Sequence, residues 1–153
     1  MKPSQVVKNC MTAMESGDLK KAATFLSEDF VFEGPVPKPV GKKEFLDLMK
    51  ALTAAIPDWS FNMGGATEAG DKVELDIRIM GTHLRELNLS FMGIPVAPAT
   101  QKIIRLPQEH LTVTVKSGKV SSIRVQPVPG GSLEGILKQI GLEMATVEES
   151  HMY

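Results

Sequence analysis

The chain has 153 residues, 42% of them hydrophobic, which is the length of one domain and enough for a core without staples. Seventeen basic and eighteen acidic side chains leave a net charge of -1, and no block of like charge marks a nucleic-acid or membrane surface. Its apolar runs are only a few residues long, far below the roughly 20 needed to span a bilayer, and Met-Lys-Pro-Ser-Gln lacks the apolar stretch expected of a secretory signal. A single cysteine, Cys10, forms no internal disulfide, so the expected compartment is the reducing cytoplasm.

In chain order, Val7, Cys10, Met11 and Met14 have the three-four spacing of an amphipathic helix over 3–16. That stripe makes Cys10 a core thiol. Gly17 suits a left-handed stop and Asp18 the N-cap of a second helix over 19–26. Phe30 to Glu33 reads as a short strand, and the proline-rich segment from Pro35 to Pro39 as a loop. Gly41, with Glu44 three residues on, opens a helix whose stripe is Phe45, Leu48, Met49, Leu52, Ala55 and Ile56; Pro57 ends it.

Beyond residue 58 the period becomes two. Trp59, Phe61 and Met63 alternate with polar residues, and so do Val73, Leu75, Ile77 and Ile79. The same parity carries Gly81 and His83 onto the apolar face. Leu87, Leu89 and Phe91 alternate as well, which predicts a long hairpin arm. Leu111, Val113 and Val115 form a strand that Ser117-Gly118 turns into Val120 to Gln126. Ser132 is placed to cap a last helix carrying Leu133, Ile136, Leu137 and Ile140; the tail beyond Gly141 is expected to fray. Helices segregated from a run of antiparallel strands predict an α+β fold in one domain over 1–153, with an ordered core at about 3–143 and a tail at 144–153.

Several local stretches resemble one family in order and spacing. They are Ala13-Met14-Glu15-Ser16-Gly17-Asp18, Phe25 to Phe30, Gly41 leading to Ile56-Pro57-Asp58, Gly70-Asp71-Lys72-Val73, Gly81-Thr82-His83, Met92-Gly93-Ile94-Pro95, Gly118-Lys119-Val120 and Leu137 to Gly141. Together they resemble the SnoaL-like polyketide cyclases of the NTF2-like superfamily. The resemblance implies a cone, in which a curved antiparallel sheet wraps around the N-terminal helices, a C-terminal helix follows and an apolar cavity is enclosed. It also implies pairing through the sheet into a homodimer, and closure of a polyketide ring by an acid/base residue without metal or cofactor. The cyclases carry an aspartate on the strand before the last helix. Here Val120 to Leu133 holds neither Asp nor Glu, and the link between Gly-Thr-His and Gly-Ile-Pro is expanded by Leu84 to Ser90.

The candidate catalytic residues are His83 and Glu109. His83 matches the family histidine and its parity turns it inward, and imidazole is easily tuned for proton transfer near neutral pH. The competing role is a buried ring that satisfies backbone groups. Glu109 shares parity with Leu111, Val113 and Val115, and a carboxyl among aliphatics suits general acid or base work. Pro107 would instead place it at a strand end in water. Arg105 shares that parity and would pair with Glu109 or hold a ligand carbonyl. Asp58 matches a Pro-Asp pair of the family, with a local turn role as its rival. Trp59, Phe61, Met14 and Met49 are candidate cavity linings; nine methionines would give such a wall adaptable packing. The three histidines are scattered, so no metal site is expected. No Gly-rich phosphate loop is present.

Two functions follow: a cyclase or isomerase acting on a hydrophobic carbonyl compound, or a non-catalytic binding module for an apolar ligand or a partner. The first requires His83 and Glu109 to open into one enclosed cavity.

Overall fold

The structure is a computed structural model describing residues 1–34 and 38–142. Residues 35–37 of the expected loop Pro35 to Pro39, and the whole tail expected at 144–153 with His151, lie outside the described residues. Three helices come early: α1 (Pro3–Glu15), α2 (Leu19–Phe25) and α3 (Lys42–Ala55). Gly17 between the first two has φ +79°, the left-handed stop that its sequence position predicts, and the Asp18 side chain caps α2 by accepting from Lys21 N–H. Cys10 lies in the core on α1, and burial pushes its thiol up to about 12.

The strands are β1 (Leu26–Glu33), β2 (Val40–Gly41), β3 (Thr67–Ala69), β4 (Lys72–Ile77), β5 (Met80–Thr82), β6 (Ile103–Arg105), β7 (Glu109–Lys116) and β8 (Lys119–Val125), followed by α4 (Ser132–Gln139). Six of them form one sheet in the order β2-β1-β8-β7-β4-β3, and β5 and β6 pair separately. All pairings are antiparallel except β1 with β8, which is parallel, so the sheet is mixed. The fold is α+β and NTF2-like, with a curved sheet around the helices. Val73, Leu75 and Ile77 of β4 and Leu111, Val113 and Val115 of β7 turn inward and are all buried. Register pairs Val73 with Val113 and Leu75 with Leu111, so the apolar faces of both strands coincide. Truncating one of these, such as Leu111→Ala, removes about 2–5 kcal/mol of packing.

Two expected strands are not there. Trp59 to Met63 has only one bridge, Ser60 to Met80, because Asn62 takes φ +44° and breaks the ladder. Its side chain binds the Arg78 carbonyl instead, at 2.9 Å. The long arm through Leu87 and Phe91 reduces to one bridge, Leu87 to Ala97, and a short 3-10 turn at Ser90–Met92. There the Asn88 side chain accepts from both Ser90 N–H and Ser90 Oγ, and this local competitor displaces sheet bonding.

Candidate active site

The inner sheet face and the helices leave a cavity of about 90 Å³ between them. Met11 and Met14 of α1 and Phe45, Leu48 and Met49 of α3 form one wall; Ile77, Leu111 and Ile123 of the sheet form another. Trp59 and Phe61 close a side with ring centroids 5.8 Å apart and planes at 80°, an edge-to-face pair. Phe32, Ser132 and Leu133 are the lining residues that remain partly exposed, and they mark where the hollow meets solvent.

Among the described residues, Glu109 is the only ionisable one in this lining. It opens β7 and is 1% exposed. Pro107 falls in the link between β6 and β7, so it does not push Glu109 to an edge in water. The Ser132 hydroxyl donates to Glu109 Oε1, whereas Oε2 has no partner among the described residues. Two features of the α4 start make room for this contact. Ser132 takes φ +55°, an uncommon backbone for a residue with a Cβ. Gly131 has no side chain, and a Cβ there would stand 3.1 Å from the Glu109 carboxyl and 2.7 Å from Val128 Cγ2. The expected N-cap role of Ser132 is therefore corrected: Gly131 is the cap residue, and no side chain caps α4. No local sequence signal reveals a bond between residues 23 positions apart.

His83 is fully buried, as its parity predicts, but it is not part of the cavity lining. The chain leaves the large sheet after Ile77 and enters the small one at Met80, which carries His83 past the hollow. Its Nδ1 lies 2.9 Å from Thr100 Oγ1 and accepts from Thr100 N–H at 3.3 Å, so the neutral ring carries its proton on Nε2. Burial holds this imidazole below the ordinary histidine value, partly offset by the Arg85 backbone. His83 N–H also donates to the Lys102 carbonyl, and its own carbonyl accepts from Gln101 N–H, both at 2.9 Å. The expected shared cavity of His83 and Glu109 is thus not formed.

Arg105 stands apart from Glu109 as well. It ends β6 with an exposed side chain, and its backbone N–H and C=O bind the Gln139 amide at 2.9 and 2.8 Å. Asp58 is exposed at the turn after α3, where its carboxylate accepts from Thr82 N–H at 2.6 Å and Thr82 Oγ1 at 2.8 Å. The Thr82 backbone bond holds its carboxyl below the usual range. Trp59, Phe61, Met14 and Met49 do line the hollow.

A second, larger hollow of about 480 Å³ lies on the outer sheet face by Glu33, His110, Arg124 and Gln126. Among the described residues it contains no fully buried polar group, and the nearby acids Glu74 and Asp76 are each 2.9 Å from a His110 ring nitrogen. These bonds raise the His110 pKa. The inner cavity, with a buried and half-satisfied carboxyl, is the stronger site. Among the described residues no cluster of His, Cys, Asp or Glu is arranged to hold a metal ion, and no helix is long and apolar enough to cross a membrane.

This architecture is similar to that of AclR from Streptomyces galilaeus, a candidate hydroxylase, with a TM-score of 0.71 and 20% identity over 91% of this chain and 95% of that one. It is also similar to IdmH from Streptomyces antibioticus, a candidate polyketide cyclase, with a TM-score of 0.65 and 21% identity over 82% and 91% of the two chains. A protein of ketosteroid isomerase-like fold from Catenulispora acidiphila gives a TM-score of 0.62 and 18% identity over 92% and 95%. At these identities the likeness shows the fold. No curated protein matches the chain. Residues 7–123 match the SnoaL-like domain, and with that match spanning most of its length the chain belongs to the SnoaL-like family.

Proposed function

We propose that the protein is a small acid/base catalyst acting on a hydrophobic carbonyl compound, as an isomerase or a cyclase, with Glu109 as the proton-transfer group. The observation that carries this reading is the Glu109 carboxyl, buried in an otherwise apolar wall with one oxygen held by Ser132 and the other unpartnered. In the proposed step Glu109 Oε2 takes a proton from the carbon next to the carbonyl, and the C–H electron pair becomes the enolate. Returning that proton to another carbon isomerises the substrate; alternatively, attack of the enolate carbon on a second carbonyl closes a ring, and the proton held by Glu109 passes to the resulting alkoxide. Only the carboxyl group is needed, and no cofactor enters. Met14, Met49, Trp59 and Phe61 would form the apolar wall, and unbranched methionines would let the hollow widen around a ligand larger than 90 Å³.

A binding module for an apolar ligand is the second reading, favoured because His83 supplies no second proton-transfer group to the wall. The two separate in heavy water. Incubation with a panel of cyclic ketones and diketones, read by mass spectrometry, is expected to show deuterium entering next to the carbonyl. Glu109→Gln should slow this by about 10²–10⁴-fold. Ligands that bind without exchanging would instead establish the binding module. A buried, unpaired Cys10 fits a cytoplasmic setting. The family resemblance further supports a homodimer paired through the outer sheet face; a single monomeric species in sedimentation at all concentrations would overturn that.

A further inference from the structure

Three buried side-chain polar atoms lack a partner among the described residues; His83 Nε2 lies on a residue outside the cavity lining, while Trp59 Nε1–H and Glu109 Oε2 belong to residues that line it. Buried donors and acceptors in folded proteins nearly always find partners, so an orphan calls for an explanation. Two orphans of opposite kind on residues lining one apolar hollow, a donor on Trp59 and a carboxyl oxygen on Glu109, share one explanation: polar atoms brought by a ligand.

We infer that Trp59 is the specificity-determining donor of this site, binding the carbonyl oxygen of the ligand while Glu109 meets the neighbouring carbon. The inference rests on the reading of the hollow as a ligand site. The indole is held in place, as a donor aimed at an incoming group must be. The Trp59 backbone N–H donates to the Ile56 carbonyl at 3.0 Å, which fixes the main chain there, and the indole ring packs edge-on against Phe61. Phe61 is fixed in turn by its backbone N–H to Glu15 Oε2 at 2.8 Å. An indole so constrained does not swing out to another acceptor, and it costs no reorganisation when a carbonyl arrives. The ligand class is therefore a compact hydrocarbon frame bearing a ketone or aldehyde oxygen. A hydrocarbon of equal shape leaves the indole N–H unpaired and binds less well.

Trp59 is the only tryptophan, so its Hε1 gives one resonance in a ¹⁵N-correlated spectrum and reports directly on this bond. The probes are cyclopentanone and methylenecyclopentane, which differ in C=O against C=CH₂. The expected result is a saturable downfield shift of Hε1 with the ketone alone, and about five- to tenfold tighter binding of the ketone. In Trp59→Phe, followed by calorimetry, the ketone should lose its preference over the hydrocarbon, because its oxygen is then buried without a donor. A ketone preference that survives Trp59→Phe, or a ketone that binds without moving Hε1, overturns the role of Trp59 and leaves the cavity reading standing. If neither probe binds the wild-type protein at its solubility limit, both fall. The resonance test uses the unaltered protein, so it stands even if the variant folds poorly.

Discussion

At the residue scale, the chemistry concentrates on one carboxyl group and the hydroxyl that holds it. Ser132→Ala keeps the Cβ and therefore the strain of φ +55°, so it isolates the loss of the hydroxyl. Glu109 Oε1 is then left without its donor inside the wall. The expected cost is about 1–3 kcal/mol of stability, measured by urea unfolding. An unchanged midpoint would mean that the hydroxyl contributes nothing net. Glu109 itself was legible as an inward residue through its parity with Leu111 and Val113, because a strand repeats every two residues. Its partner was not legible: Ser132 read as a helix cap, and only the folding of α4 over the cavity brings the two together.

At the scale of elements, His83 acts as a pin between β5 and the segment returning through Thr100 and Lys102. Its folded pKa is depressed by burial, so the neutral ring stabilises the fold fully above the unfolded value of about 6.5, and this contribution is lost as pH falls toward the folded value. Hydrogen exchange of the Gln101 and Lys102 amides, corrected for intrinsic rates, should accelerate as pH drops below about 6.5. His110 has the opposite sign: bonded to Glu74 and Asp76, it stabilises below that value and loses the effect as pH rises through its raised pKa. The helices and the strands β4, β7 and β8 were legible because their apolar positions repeat with one period. The segments at 59–63 and 87–91 alternate too, yet they are not strands. Their alternation records burial of Trp59, Phe61, Leu87 and Leu89 against the core, whereas Phe91 stays exposed, and Asn62 and Asn88 divert the backbone from a ladder.

At the scale of the whole molecule, a sheet closed over helices leaves a small apolar hollow with one acid in its wall. Filling it should separate binding from folding. Leu111→Phe adds volume at the hollow and is expected to abolish ketone binding, with a change in stability of about 1–3 kcal/mol, as overpacking typically gives. Calorimetry and thermal unfolding measure the two effects separately. The resemblance in the sequence gave access to this architecture because short motifs kept their order along the chain. It did not foretell that His83 bypasses the hollow, since that depends on the break between β4 and β5 at residues 78–79.

The most direct test is a crystal structure of the protein with cyclopentanone bound. The account predicts the ketone inside the hollow, with its oxygen in hydrogen-bonding reach of Trp59 Nε1 and a carbon beside the carbonyl about 3–3.5 Å from Glu109 Oε2. A ketone seated in the outer groove by His110 and Arg124, with the inner cavity empty and Glu109 untouched, would contradict it.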